Sequence, residues 1–265
     1  MEERSILAEH SYRELTDILL WFYHQGPIPV LIGGWAVFCY SSYMGSVDID
    51  LVGPSMGGLF DATLEGFERE RGYQAVSYEP MYLGVSFRKP VYEAGELVGY
   101  VEIDACTYED DKRVFKEDQG IELPYSLCSR DGLLTRVALG PRCEAFIPDK
   151  ALLFLYKLKA LRDRQFDLRV RGAVLGFERA EWLRSKIVKD ASDLISLLDP
   201  NPDPCMVKQE LDLCVLERLV DEFQLHFCIG SIESLPSLRA SRMQYKNVDE
   251  TSVRKWVSDL ISQIA

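Results

Sequence analysis

The chain has 265 residues, 47% of them hydrophobic, and a formal net charge of −12 at pH 7. That length and apolar content can bury a full core, divided between two domains, whereas the acidic balance argues against broad, non-specific nucleic-acid binding, which needs a basic surface to release counterions. No apolar run approaches the ~20 residues of a membrane span, and Met1-Glu2-Glu3 is unlike a signal peptide, so the expectation is a cytoplasmic protein with no membrane partner.

In chain order, residues 4–24 carry apolar side chains at helical spacing and predict an amphipathic helix, ended by Gly26-Pro27. Val30-Leu31-Ile32 reads as a strand running into a Gly33-Gly34 turn, with a short helix from Trp35 to Tyr43. Gly45-Ser46 turns the chain into a strand holding Asp48 and Asp50, closed by Gly53-Pro54. Residues 58–71 predict a helix, and 73–78, 82–87 and 98–105 predict strands; residues 108–119 read as a charged loop. Short strands follow at 121–127 and 134–139. Ile147-Pro148-Asp149 looks like a helix start, with Pro in the first turn and Asp at the positive end.

Beyond Pro148 the pattern turns helical, over 149–164, 178–198, 205–228 and 249–264. Asp199-Pro200-Asn201-Pro202-Asp203-Pro204 reads as a stiff connector, and Leu235-Pro236 as another loop or a short helix. The fold class expected is α/β (α+β): a mixed-sheet domain over 1–147, then an α-helical domain over 148–265. Seven cysteines with no Cys-x-x-Cys pair, and only three histidines, argue against zinc and for reduced, mostly buried thiols.

The chemistry concentrates on two short strands. In Ser46-Val47-Asp48-Ile49-Asp50-Leu51, period-two alternation sends Val47, Ile49 and Leu51 one way and both aspartates the other. Adjacent carboxylates on one face repel unless a cation lies between them, although a solvated strand face gives the same pattern. The Gly33-Gly34 turn at a helix start offers backbone N–H groups and the positive end of a helix dipole, which suit a phosphate. In Val101-Glu102-Ile103-Asp104-Ala105, Glu102 and Asp104 again share one face, and Asp104 is a candidate third carboxylate.

This arrangement resembles the signature of the DNA polymerase beta-like nucleotidyltransferases: a hydrophobic-Gly-Gly/Ser turn, about a dozen residues, Asp-hydrophobic-Asp, and a third acid on a later strand. The resemblance implies a nucleotidyltransferase domain in which Asp48, Asp50 and Asp104 are catalytic and hold two Mg²⁺ ions. Gly33, Gly34 and Ser46 would bind the donor NTP.

A second constellation is helical. Lys157, Ala160 and Arg164 share one face, and Lys186, Lys189, Asp190 and Asp193 share a stripe further on. Two solvated faces joined by salt bridges would explain this. The run Lys-x-x-Ala-x-x-x-Arg, then Lys-Asp-x-x-Asp-Leu, is also similar to the second half of the abortive-infection nucleotidyltransferase toxins, over about residues 28–200. That resemblance makes Lys157, Arg164, Lys189, Asp190 and Asp193 nucleotide-binding motif residues. It implies ATP or another NTP as donor, tRNA or other RNA as acceptor, and a cognate antitoxin. Its relatives often carry Arg-x-Thr ahead of the aspartates; here Met44 and Ser46 stand in those places, and Met44 brings no charge.

The same core serves enzymes that adenylylate aminoglycosides or lincosamides, and the acidic surface would suit a cationic drug. A protein acceptor and a catalytically silent nucleotide-binding module complete the alternatives. Trp35 and Cys39 are expected in the core.

Overall fold

The computed structural model describes residues 2–76, 84–108, 123–202 and 206–264, with side chains from residue 6 onward. The chain forms two compact units: residues 2–39, 44–76, 84–108 and 124–149 make the first, and 40–43, 123, 150–202 and 206–264 the second. Parts of the predicted charged loop (109–119), of the strands at 73–78, 82–87 and 121–127, of the connector (203–204) and the helix start at Cys205 lie outside the described residues.

The first unit is a mixed seven-stranded sheet with helices. In order it holds α1 (Glu2–Gln25), β1 (Val30–Ile32), α2 (Gly33–Tyr40, whose last residue belongs to the second unit), β2 (Asp48–Gly53), α3 (Leu59–Arg71), β3 (Gln74–Ala75), β4 (Val85–Glu93), β5 (Glu96–Thr107), β6 (Leu134–Gly140) and β7 (Cys143–Pro148). The strands run in the order β3-β4-β5-β2-β1-β7-β6. β2 and β5 are parallel, as are β1 and β7; the other neighbours are antiparallel.

α1 packs on β5 and β7 and against α3, burying Leu15, Ile18, Leu19 and Phe22 completely. Fully burying an apolar side chain stabilises by ~1.5–3 kcal/mol, so this stripe anchors the layer. The strand residues on that side are the odd-numbered ones. Lys89 reaches Glu14 of α1 at 2.7 Å, and a methyl on Gly99 would meet Leu7 at 2.9 Å. Period two therefore sends the even-numbered residues of β4, β5 and β2 to the opposite face.

Several expected elements differ. α2 starts at Gly33 itself and ends at Tyr40, where the chain leaves into a turn from Tyr43 N to Ser41 O. β4 continues to Glu93 and hairpins into β5 through Ala94 (φ +50°) and Gly95 (φ +87°), the two left-handed positions of a two-residue turn that matches strand twist. Pro90 is tolerated because β3 pairs only Arg88 and Phe87, leaving β4 at an edge beyond them. In place of a strand near 127, Pro124 leads a 3-10 turn over Tyr125–Ser129. Pro148 is the last residue of β7, opposite Leu134, rather than a first-turn proline.

The second unit contains α4 (Lys150–Arg171), α5 (Phe177–Leu198), α6 (Leu213–Glu222), α7 (Ile229–Ser234), α8 (Arg239–Gln244) and α9 (Glu250–Ile264). α4 outruns its predicted end. The single helix expected over 205–228 breaks up: Asp212 caps α6 by accepting from Val215 N, and Gln224, at φ +52° and ψ +41°, ends it before a 3-10 turn at Leu225–Cys228. Leu235–Ser237 is a 3-10 turn started by Pro236. Among the described residues, no helix is long and apolar enough to cross a membrane.

Candidate active site

The even-numbered face of the sheet carries the acids. β2 and β5 pair in parallel with Asp48 opposite Glu102 and Asp50 opposite Asp104. On the far side of β5, Ser86 of β4 lies opposite Asp104 and Arg88 opposite Glu102; on the far side of β2, Ile32 of β1 lies opposite Asp50. Three aspartates and a glutamate thus occupy two adjacent rows on strands ~4.8 Å apart.

Gly33 follows β1 directly and faces Asp50. Its φ is +67°, and an added methyl carbon would fall 1.9 Å from Asp50 Oδ2. Only glycine meets both demands, the left-handed backbone and the close approach. Gly34 follows in the first turn of α2, buried like Trp35, Ala36 and Val37. Gly33→Ala is expected to cost about 1–2 kcal/mol in backbone strain and a further ~1–3 kcal/mol in overlap. Gly72→Ala is the control, since φ there is +70° but nothing lies within 4 Å. Urea midpoints of the two variants isolate the contact with Asp50; equal losses would mean there is none.

Burial raises the Asp104 carboxyl to about 6, helped by the charges of Asp50, Asp48 and Glu102 and opposed by the hydroxyl of Ser86, which donates to Asp104 Oδ1. The sign follows from proton linkage. The folded state holds this proton more tightly than the unfolded chain, so stability falls as pH rises from about 4 to about 6 and stays lower above that. At ~1.4 kcal/mol for each tenfold change in proton affinity, the rise is worth about 3 kcal/mol. In metal-free buffer, Asp104→Asn is therefore expected to raise stability at pH 7 by up to that amount, with the gain vanishing near pH 4. Urea unfolding at both pH values checks this; a gain that persists at pH 4 would sink it.

As the side chains stand, no group of three or more His, Cys, Asp or Glu among the described residues is arranged to hold a metal ion. The donor set nevertheless fits Mg²⁺ in kind, because it is all oxygen and the charges of Asp50, Asp48 and Glu102 bear on Asp104. Neither a protein-family model nor a curated protein matches this chain. The functional reading therefore rests on the residues themselves.

Ser46, two residues ahead of Asp48, is 3% exposed. Trp35 and Cys39 are core residues: Trp35 Nε1 donates to Ser11 Oγ at 3.0 Å, and burial pushes the Cys39 thiol up to about 12, where it is no nucleophile. Among the described residues six cysteines are free thiols, all buried except Cys214.

The other predicted residues belong to the second unit and form one network there. Lys157 Nζ lies 2.6 Å from Asp193 Oδ2 and 3.7 Å from Asp190 Oδ1. Lys189 Nζ lies 3.1 Å from Asp193 Oδ2, and Arg164 Nη1 donates to Asp190 Oδ2. The order of these pairs, early α4 with late α5, makes the two helices antiparallel. Tyr43 donates its hydroxyl to Asp193 Oδ1 at 2.5 Å.

The cations of α4 are mostly buried. Lys157, Lys159 and Arg162 are 8%, 2% and 8% exposed, and Lys159 is bound to Asp163 at 2.5 Å. The helix face expected to be solvated is mostly interior.

Sequence reasoning missed Ser86, Arg88 and Tyr43. For the first two, the signal was an alternation in β4 whose register with β5 is set by the hairpin turn. Tyr43 carries no local signal.

Proposed function

We propose that this chain is a Mg²⁺-dependent nucleotidyltransferase that moves NMP from an NTP to an acceptor hydroxyl. One observation carries the reading: the register that sets Asp50 beside Asp104, with Asp48 along the same strand face and Gly33 pressed against Asp50. A solvated strand face has no need for a third acid opposite the second, nor for a glycine that only a bare Cα can satisfy.

Asp48 and Asp50 would hold two Mg²⁺ ions, with Asp104 completing one of them; bound there, the ions would neutralise phosphate charge and acidify the acceptor hydroxyl. The backbone N–H groups at Gly33 and Gly34 would receive the β- and γ-phosphates. Asp104, oriented by Ser86, would take the acceptor proton as general base. The acceptor oxygen bonds to the α-phosphorus as the bond to the bridging oxygen breaks, and pyrophosphate carries away the electron pair.

Lys157, Arg164, Lys189, Asp190 and Asp193 are read first as the ionic framework of the second unit. The resemblance to abortive-infection toxins makes RNA the first acceptor to try and an antitoxin the first protein partner.

The test is transfer from each of the four α-³²P-labelled NTPs to total tRNA with Mg²⁺, comparing the natural chain with Asp48→Ala. The expected result is label on RNA from the natural chain only. Absence of label with Mg²⁺-dependent NTP binding intact would move the acceptor to a small molecule or protein. Absence of NTP binding would overturn the proposal, and the silent nucleotide-binding module with it.

A further inference from the structure

We infer that Arg88 and Tyr100 form the acceptor side of this site, and that they receive the terminal nucleotide of an RNA strand. The inference rests on the nucleotidyltransferase reading and adds to it the residues that would hold the acceptor.

In-line displacement puts the nucleophile and the leaving pyrophosphate on opposite sides of the α-phosphorus. Gly33 and Gly34 stand at the end of β1, so the pyrophosphate side of the acids is the β1 side. The sheet order β4-β5-β2-β1 then leaves the β5–β4 side for the acceptor.

On that side the acid-bearing face carries a guanidinium and an aromatic ring. Arg88 lies in the same row as Glu102 and Asp48, and Tyr100 lies one row away, opposite Pro90. Arg88 Cζ stands over the Tyr100 ring, 4.5 Å from its centroid, and both residues are half-buried. Among the described residues of β4, β5, β2 and β1, Arg88 is the one cation on this face; Lys89 points the other way, to Glu14.

A guanidinium over an aromatic ring offers planar surfaces on which a base can stack and N–H donors for a phosphate. A nucleotide presents both partners. A polycationic small molecule presents neither. Met44 supplies no cation ahead of Asp48 on the donor side, whereas the acceptor side has one of its own in Arg88.

The test uses the full chain and a short fluorescein-labelled RNA with a free 3′ hydroxyl, read by anisotropy over a salt series, with Mg²⁺·NTP binding measured in parallel. Arg88→Ala and Tyr100→Ala are expected to weaken RNA binding on the order of 10- to 100-fold, and Tyr100→Phe to leave it near the natural value, because stacking does not need the hydroxyl. Arg88→Ala should flatten the slope of log K against log salt by about one. Mg²⁺·NTP affinity should not move.

Unchanged RNA binding in folded Arg88→Ala and Tyr100→Ala would overturn the inference. So would parallel losses of RNA binding, NTP binding and unfolding midpoint, which would mark the pair as structural. A natural chain that binds Mg²⁺·NTP but not RNA would overturn the RNA assignment alone. A natural chain that binds no Mg²⁺·NTP would remove the nucleotidyltransferase reading first.

Discussion

Asp193→Ala is expected to destabilise the protein by about 3–5 kcal/mol, the usual cost of removing one partner from a buried ion pair. Asp193 is 1% exposed and serves two cations, Lys157 at 2.6 Å and Lys189 at 3.1 Å, as well as the Tyr43 hydroxyl. Burial alone would push its carboxyl up, but Lys157, Lys189 and the hydrogen bonds from Lys157 and Tyr43 outweigh it and hold the group at about 2. Burial also lowers Lys189, whose attraction to Asp193 only partly offsets the loss of water. A depressed carboxyl gives stability that is present above its unfolded value near 4 and lost as pH falls toward about 2. The deficit of the alanine variant should therefore be full at pH 7 and should narrow between pH 4 and pH 2, as the natural chain loses the same contribution. Urea unfolding across that range reads it. A deficit that is constant with pH would assign the loss to packing rather than charge.

That network shows where sequence reading stops. The stripe of Lys157 and Arg164 on α4, and that of Lys189, Asp190 and Asp193 on α5, follow from helical spacing alone. Whether such charges meet water or one another depends on how two helices pair, and no local pattern encodes that. The same stripe of cations could have covered a surface; here α5 supplies aspartates opposite it, and desolvation turns the stripe into an interior.

The sheet was more legible because period two is a local signal. Asp48 and Asp50 share a face whichever strands lie beside them, and Gly33 announces an unusual backbone wherever the turn falls. The partner row was less so. Asp50 lies opposite Asp104, rather than Glu102, because of the β2–β5 register, a non-local choice. Ser86 and Arg88 reach the acidic face through a hairpin whose strand runs through Pro90, a residue that argues against a strand unless the edge is known. The broken helix after Asp212 has the same lesson: Gln224 looks helical in sequence and takes a left-handed backbone only in its tertiary setting.

The metal assignment has the largest expected effect on activity. Asp50→Asn should lower nucleotidyl transfer by about 10³-fold or more, since charge stabilisation by a metal is worth several kcal/mol. Asp48→Asn should do the same. The fold should survive, because the asparagine keeps the shape that packs against Gly33 while removing one of the charges that raise Asp104. In metal-free buffer, Asp50→Asn should therefore melt at or above the natural chain. Adding Mg²⁺ should reverse that order, because a ligand bound only by the folded state stabilises it by an amount that grows with the logarithm of one plus its concentration over its Kd, and the variant has lost a ligating charge. Activity and melting fail in different ways. Near-normal transfer by Asp50→Asn would overturn the metal assignment. A variant that melts well below the natural chain without Mg²⁺ would show that the carboxylate holds the strand in place, leaving the acidic face a structural feature.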